Sequence, residues 1–189
     1  MGLVRVGKPG REAALRLDLG NGFILRGFVD EDRENLANFG NNPVVAAYLH
    51  DRFPHPYSLE DAETWIEINR EQDPRTVFCI AGEAGCIGSI GLIVGEDVYR
   101  KSAEIGYWLA EPFWGKGIAT KAVVALSRYA FEQLDLVRVF AGVFSTNPGS
   151  SRVLEKAGFR FEGIQHKSVI KNNRLLDQRL YAAINPKYE

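Results

Sequence analysis

The stretch Trp114-Gly115-Lys116-Gly117-Ile118-Ala119-Thr120 carries the strongest chemical signal in the chain. Two glycines separated by one residue let the backbone turn its N–H groups toward a common point. The helix expected to follow offers further unpaired N–H groups and a partial positive charge. Together they form a cradle suited to a phosphate or pyrophosphate. A P-loop is excluded, because Lys116 precedes Gly117 and not Ser or Thr. A dinucleotide fingerprint fits badly: Thr120 replaces its third glycine, and Pro112-Phe113-Trp114 separates loop from strand. On glycine spacing alone, a plain strand-to-helix turn explains the stretch equally well.

Other reactive residue types are sparse. Asn147-Pro148 reads as the N-cap and first residue of a helix. Lys116, Lys121, Arg152 and Lys156 are solvated charges or a local positive field for an anion. His50, His55 and His166 are scattered, without HxxxH or HExxH spacing, so no metal is expected. Cys79 and Cys86 are too few for a disulfide framework. They flank the turn Gly82-Glu83-Ala84-Gly85 and are expected as buried reduced thiols facing each other on a hairpin.

The elements that must position these residues follow from periodicity. Strands are expected over residues 22–28, 76–81, 86–94, 103–110, 136–144, 159–164 and 174–184. Helices are expected over 30–39, 43–50, from Ser58 onward, over 117–134 and over 147–157. Ser58 and Asp61 make a variant capping box, with Ala62, Trp65, Ile66 and Asn69 along one face. Ala119, Val123, Leu126, Ala130 and Leu134 form the stripe of a helix packed on a sheet. Strand, helix and strand in succession make a right-handed crossover, so strands 103–110 and 136–144 should be parallel. The result is an α/β fold with a mostly antiparallel mixed sheet of six to seven strands.

The chain has 189 residues, 46% hydrophobic and 25% charged, which fits one globular domain. Residues 22–189 form that domain; residues 1–21 are an N-terminal extension in which Leu15, Leu17 and Leu19 alternate as an edge strand would. A net charge of −1 gives no basic excess for nucleic acid. The apolar runs are too short to span a bilayer, and a cytoplasmic location is expected.

Three segments in order resemble the GNAT N-acetyltransferases: Glu104-Ile105-Gly106-Tyr107-Trp108-Leu109, Trp114-Gly115-Lys116-Gly117-Ile118-Ala119, and Asn147-x-x-Ser150-x-Arg152-Val153-Leu154-Glu155-Lys156-x-Gly158-Phe159. Within that superfamily the chain is most similar to the subgroup of ribosomal-protein N-terminal acetyltransferases. The resemblance implies acetyl-CoA as cosubstrate, its pantetheine lying between two splayed parallel strands. By that resemblance the backbone of Trp108, Leu109 and Ala110 meets pantetheine, and amides of Gly115, Lys116, Gly117, Ile118, Ala119 and Thr120 hold the pyrophosphate. Asn147 would contact pantetheine, and Lys116 and Lys156 would face the phosphates. The family's loop usually begins with Gln or Arg; Trp114 stands there instead, which keeps the amides but loses a polar contact.

Direct transfer needs a neutral amine, attack on the thioester, a stabilised oxyanion and a proton for the departing thiolate. Glu104 is the candidate base, acting through water, and the amide of Leu109 or Ala110 the oxyanion donor. Many relatives place a tyrosine acid seven residues after the helix asparagine, which here is Leu154. The ribosomal subgroup uses a serine three residues after it, which is Ser150. A base used by some of that subgroup falls near Val169, which cannot ionise. Such light machinery suits an α-amine, about 10% neutral at pH 7, better than a lysine, under roughly 0.1% neutral. The favoured acceptor is therefore a protein or peptide N-terminus. A small-molecule amine acetyltransferase (polyamine, antibiotic or amino acid) and an idle acyl-CoA-binding module are the alternatives, with a nucleotide-dependent oxidoreductase far behind. Dimers are common in the resembling subgroup, which leaves a homodimer open.

Overall fold

Leucine alternation at the N-terminal end becomes a true strand because Asn21-Gly22 can turn it back. In the computed structural model, which describes residues 15–188, β1 (Leu17–Gly20) pairs antiparallel with β2 (Phe23–Arg26). Asn21 and Gly22 have φ of 57° and 79°, the left-handed region that tight hairpins demand. The earlier part of the expected extension lies outside the described residues. The remaining strands are β3 (Val77–Gly82), β4 (Gly85–Val94), β5 (Ser102–Leu109), β6 (Arg138–Phe144), β7 (Arg160–Lys171) and β8 (Arg174–Ile184). They form one sheet in the order β1-β2-β3-β4-β5-β6-β8-β7. Its eight strands exceed the expected six to seven because the leucine segment joins the edge.

Helices cover this sheet on both faces. α1 (Arg33–Gly40) and α3 (Leu59–Arg70) bury Leu36, Ala62 and Ile66 against Phe28, Cys79, Ala81 and Cys86. The α3 start is the expected box: Ser58 Oγ accepts from Asp61 N–H at 3.1 Å, and Ser58 N–H donates to the Asp61 carboxylate at 2.8 Å. On the other face, α4 (Ile118–Glu132) buries Ala122, Val123, Leu126 and Ala130 against Phe78, Ile80, Ile87, Ile90 and Val139. It supplies the crossover between β5 and β6, which are parallel as expected. α2 is shorter than expected, Pro43–Ala46, and turns out of helix before His50. α5 (Pro148–Lys156) follows β6. β7 is longer than expected, because an irregularity between Gln165 and Val169 lets pairing resume with Leu176. There Lys167 has φ of 53° and donates its N–H to Asp177 at 2.9 Å.

A buried ion pair ties the first helices to the sheet. Arg26 on β2 donates to both carboxylate oxygens of Asp32, at 2.6 and 2.7 Å, and Asp32 is 2% exposed. Asp32 also accepts from Val29 N–H at 3.0 Å. Bidentate pairing holds the Arg26 guanidinium protonated even more firmly than usual. The free thiols of Cys79 and Cys86 lie beside it, within 4.8 Å of an Asp32 oxygen and of each other. Sequence spacing does not reveal this cluster, since Asp32 arrives from another element. Among the described residues no helix is long and apolar enough to cross a membrane.

Candidate active site

A parting of two strands creates the site. β5 and β6 pair over Ser102↔Arg138, Ala103↔Val139 and Glu104↔Phe140, and then separate. β5 continues along β4 as far as Gly88↔Leu109, while β6 continues along β8 as far as Phe144↔Gln178. Between them opens a cleft of about 580 Å³.

Strand alternation decides which backbone groups face it. In an antiparallel ladder, successive residues point their N–H and C=O alternately toward and away from the partner. Ala110 N–H bonds Ile87 C=O at 2.8 Å, so Ala110 and Trp108 are directed at β4 and Leu109 and Tyr107 at the gap. This divides the three residues expected along pantetheine, and it removes Ala110 as an oxyanion donor while leaving Leu109. Trp114 does not merely lack a polar group here, since its indole N–H donates to Leu109 C=O at 2.6 Å. That bond pins the cradle loop to the end of β5. Side chains alternate too. Glu104, Gly106 and Trp108 project from the face shared with α1 and α3, and Tyr107 from the opposite face toward α5.

The loop glycines adopt the conformation a cradle needs. Gly115 and Gly117 have φ of 75° and 76°, and a Cβ on either would meet nothing within 4 Å. Gly117 is the N-cap of α4 and supplies no side-chain cap bond, so first-turn amides of α4 are left without a capping partner. Ile118, Ala119 and Thr120 line the cleft there. Lys156 and Arg152, both without an acidic partner among the described residues, reach it from α5. Lys116 does not line it and lies over the Phe113 ring, 5.3 Å from the centroid.

α5 begins with Asn147, whose side-chain oxygen accepts from Ser150 N–H at 3.0 Å. This is the cap expected from Asn147-Pro148, and it leaves the Asn147 amide nitrogen for a ligand. Ser150 Oγ lies 2.8 Å from the Tyr107 hydroxyl. Burial pushes the Tyr107 phenol up to about 12, opposed by that hydrogen bond. Leu154 is fully buried, so the position where many relatives carry a tyrosine does not face the cleft.

Glu104 lines the cleft half-buried, with no hydrogen bond or ion pair to its carboxylate among the described residues. Among the described residues no basic side chain pairs with it as a structural charge would require. His50 lines the same opening, its ring edge-on to Phe144 at 6.1 Å. Tyr107 and His50 are cleft residues that pattern reading passes over. For His50 a search for metal spacing is the wrong filter, and for Tyr107 strand alternation separates it from Trp108 without saying which face meets α5.

The cleft therefore gathers Glu104, Trp108, Leu109, Trp114, Gly115, Gly117, Ile118, Ala119, Thr120, Asn147, Ser150 and Lys156, and excludes Ala110 and Lys116 from its lining. A mixed sheet split at a parallel pair, with a two-glycine loop and a helix N-terminus beside the split, is the arrangement that the resemblance to the GNAT family implies. Residues 23–160 match the model of the acetyltransferase (GNAT) domain, and the chain belongs to that family. The probable N-acetyltransferase YjcK of Bacillus subtilis (strain 168) is 43% identical over 118 residues, 61% of this chain and 65% of YjcK. The chain thus spans just under two thirds of that relative. The ribosomal-protein-serine acetyltransferase of Escherichia coli (strain K12) is 35% identical over 130 residues, 67% of this chain and 72% of its own. Spermidine N-acetyltransferase from Vibrio cholerae, solved with CoA and spermine, has a TM-score of 0.73 at 25% identity, covering 89% of this chain and 99% of that one.

Proposed function

We propose that the protein moves the acetyl group of acetyl-CoA to the α-amine of a protein or peptide N-terminus. The observation that carries this reading is the charge of the cleft: among the described residues that line it Glu104 is the one carboxylate, beside Arg152, Lys156 and His50. A polyamine brings several cations and needs several carboxylates, whereas a single N-terminal amine needs one. Likeness to a ribosomal-protein-serine acetyltransferase supports a protein acceptor.

Each side chain then has a task. Gly115, Gly117 and the first turn of α4 hold the pyrophosphate, with Arg152 and Lys156 near the remaining phosphates. Asn147 and the gap-facing groups of β5 orient the pantetheine arm. Glu104 takes the ammonium proton through water, leaving a neutral amine to attack the thioester carbon. Leu109 N–H faces the oxygen that becomes negative, and Ser150 donates to the departing sulfur. Glu104 and Ser150 stand on opposite faces of the split sheet, so acceptor and leaving group need not share one entrance. A cytoplasmic setting goes with this reading, since polyanionic acetyl-CoA does not cross a bilayer unaided.

The test is thiol release from acetyl-CoA with three acceptors: short peptides with free N-termini, an Nα-blocked peptide carrying one lysine, and spermidine. At pH 7 the free N-termini should give a kcat/KM at least about tenfold above the other two. Faster turnover of spermidine, the acceptor class of the Vibrio cholerae relative, would replace this reading with the small-amine one. Binding of acetyl-CoA without release in any case would leave an acyl-CoA-binding module.

A further inference from the structure

We propose that Tyr107 is a positioning residue for thiolate departure: its phenol O–H donates to Ser150 Oγ and thereby turns the Ser150 proton toward the sulfur. This rests on the acetyl-transfer reading, though not on which amine is the acceptor.

The geometry leaves Ser150 little freedom. Its N–H is held by Asn147 Oδ1 at 3.0 Å, and its Oγ by the Tyr107 hydroxyl at 2.8 Å. The same phenol lies 3.4 Å from Ser150 C=O, a longer contact that competes for its one proton, and the 2.8 Å contact to Oγ is the shorter of the two. Tyr107 is itself fixed, half-buried on β5 with its ring packed against the α4-side core. Its hydroxyl reaches α5 across the place where β5 and β6 have parted. Both Tyr107 and Ser150 line the cleft.

The direction of donation matters chemically. A phenol is a better donor than an alcohol, and a phenol held neutral keeps its proton for the purpose. If Ser150 donated to Tyr107 instead, the only serine proton would point away from the cleft. An alkyl hydroxyl is a far weaker acid than a thiol, whose pKa is about 8.5, so Ser150 does not protonate the sulfur outright. It stabilises the charge by a hydrogen bond, which the Tyr107 bond strengthens by polarising Oγ. In the collapse of the tetrahedral intermediate the C–S bond breaks and its electron pair stays on sulfur. Glu104 has by then passed the ammonium proton to solvent, so through water it takes the second proton that the attacking nitrogen loses as the amide forms, and the thiolate takes its proton from solvent on release. Acetyl thioester and amine thus become amide and thiol.

Tyr107→Phe, Ser150→Ala and the double variant test this. Phe keeps the ring and loses one oxygen, so the variant should fold with Tm lowered by roughly 2–4 °C. Its kcat should fall about tenfold while KM for acetyl-CoA stays within about twofold, because the bond acts only as charge develops. In the Ser150→Ala background the same substitution should change kcat by less than about twofold, since Tyr107 acts through Ser150. A tenfold loss in both backgrounds, or a KM effect without a kcat effect, overturns the proposal and makes Tyr107 a packing residue. Should Tyr107→Phe not fold, wild-type and Ser150→Ala kcat are compared: equal values overturn the proposal, because Tyr107 then has nothing to act through. A wild-type protein that releases no thiol with any acceptor refutes the acetyl-transfer reading instead.

Discussion

An Asp32→Asn variant is expected to melt roughly 6–20 °C below the wild type. The substitution keeps shape and volume but removes the charge that meets Arg26 in a site where Asp32 is 2% exposed. Arg26 cannot discharge itself, because a guanidinium does not deprotonate in a protein. Breaking one side of a buried pair costs about 3–5 kcal/mol, and a domain of this size loses roughly 2–4 °C per kcal/mol. The penalty belongs to the stranded charge more than to a lost attraction. Arg26→Leu with Asp32→Leu should therefore recover most of it, since apolar replacement of both partners is often close to neutral. Thermal melts of the two variants decide the matter. A shift under about 2 °C for Asp32→Asn would show that water reaches Arg26 and that the pair is not a buried one in solution.

The second large effect is on ligand binding. Gly117→Ala should cost the free protein about 1–2 kcal/mol, because φ of 76° is strained for a residue with a Cβ. It should cost more in affinity. Gly117 lines the cleft and a methyl group there would occupy space that is open in the free protein, so acetyl-CoA binding should weaken at least tenfold. With the wild type at 100 times its Kd, acetyl-CoA adds about 2.7 kcal/mol, or roughly 5–11 °C. At the same concentration a tenfold weaker variant gains only about 1.4 kcal/mol, or roughly 3–6 °C. Equal shifts in the two proteins would place the pyrophosphate elsewhere.

What is legible in the sequence is what contiguous residues decide. Asn21-Gly22 closes a hairpin, Ser58 and Asp61 start α3, and Asn147-Pro148 starts α5. The parallel placement of β5 and β6 follows from strand, helix and strand with no knowledge of contacts. The strand count falls short because an edge strand of four residues is a weak periodic signal. The parts of the site that stay hidden are pairings over distance: Tyr107 with Ser150, Trp114 with Leu109, and His50 brought beside Phe144. Ala110 shows the limit in the other direction. Its position in the motif is the one expected to meet pantetheine, whereas ladder phase turns its amide to β4.

That ladder phase has a mechanical side. Five strands on one side and three on the other meet through three residue pairs at one end of the β5–β6 boundary. The sheet is thus two plates welded at a corner, like tongs, and its compliance is concentrated along one line. At the open end, side-chain hydrogen bonds from Tyr107 to Ser150 and from Lys171 to Asp51 span the jaws, with the His50 ring edge-on to Phe144. Whatever lies between the jaws sets their separation, and grip and fit become one adjustment of the molecule.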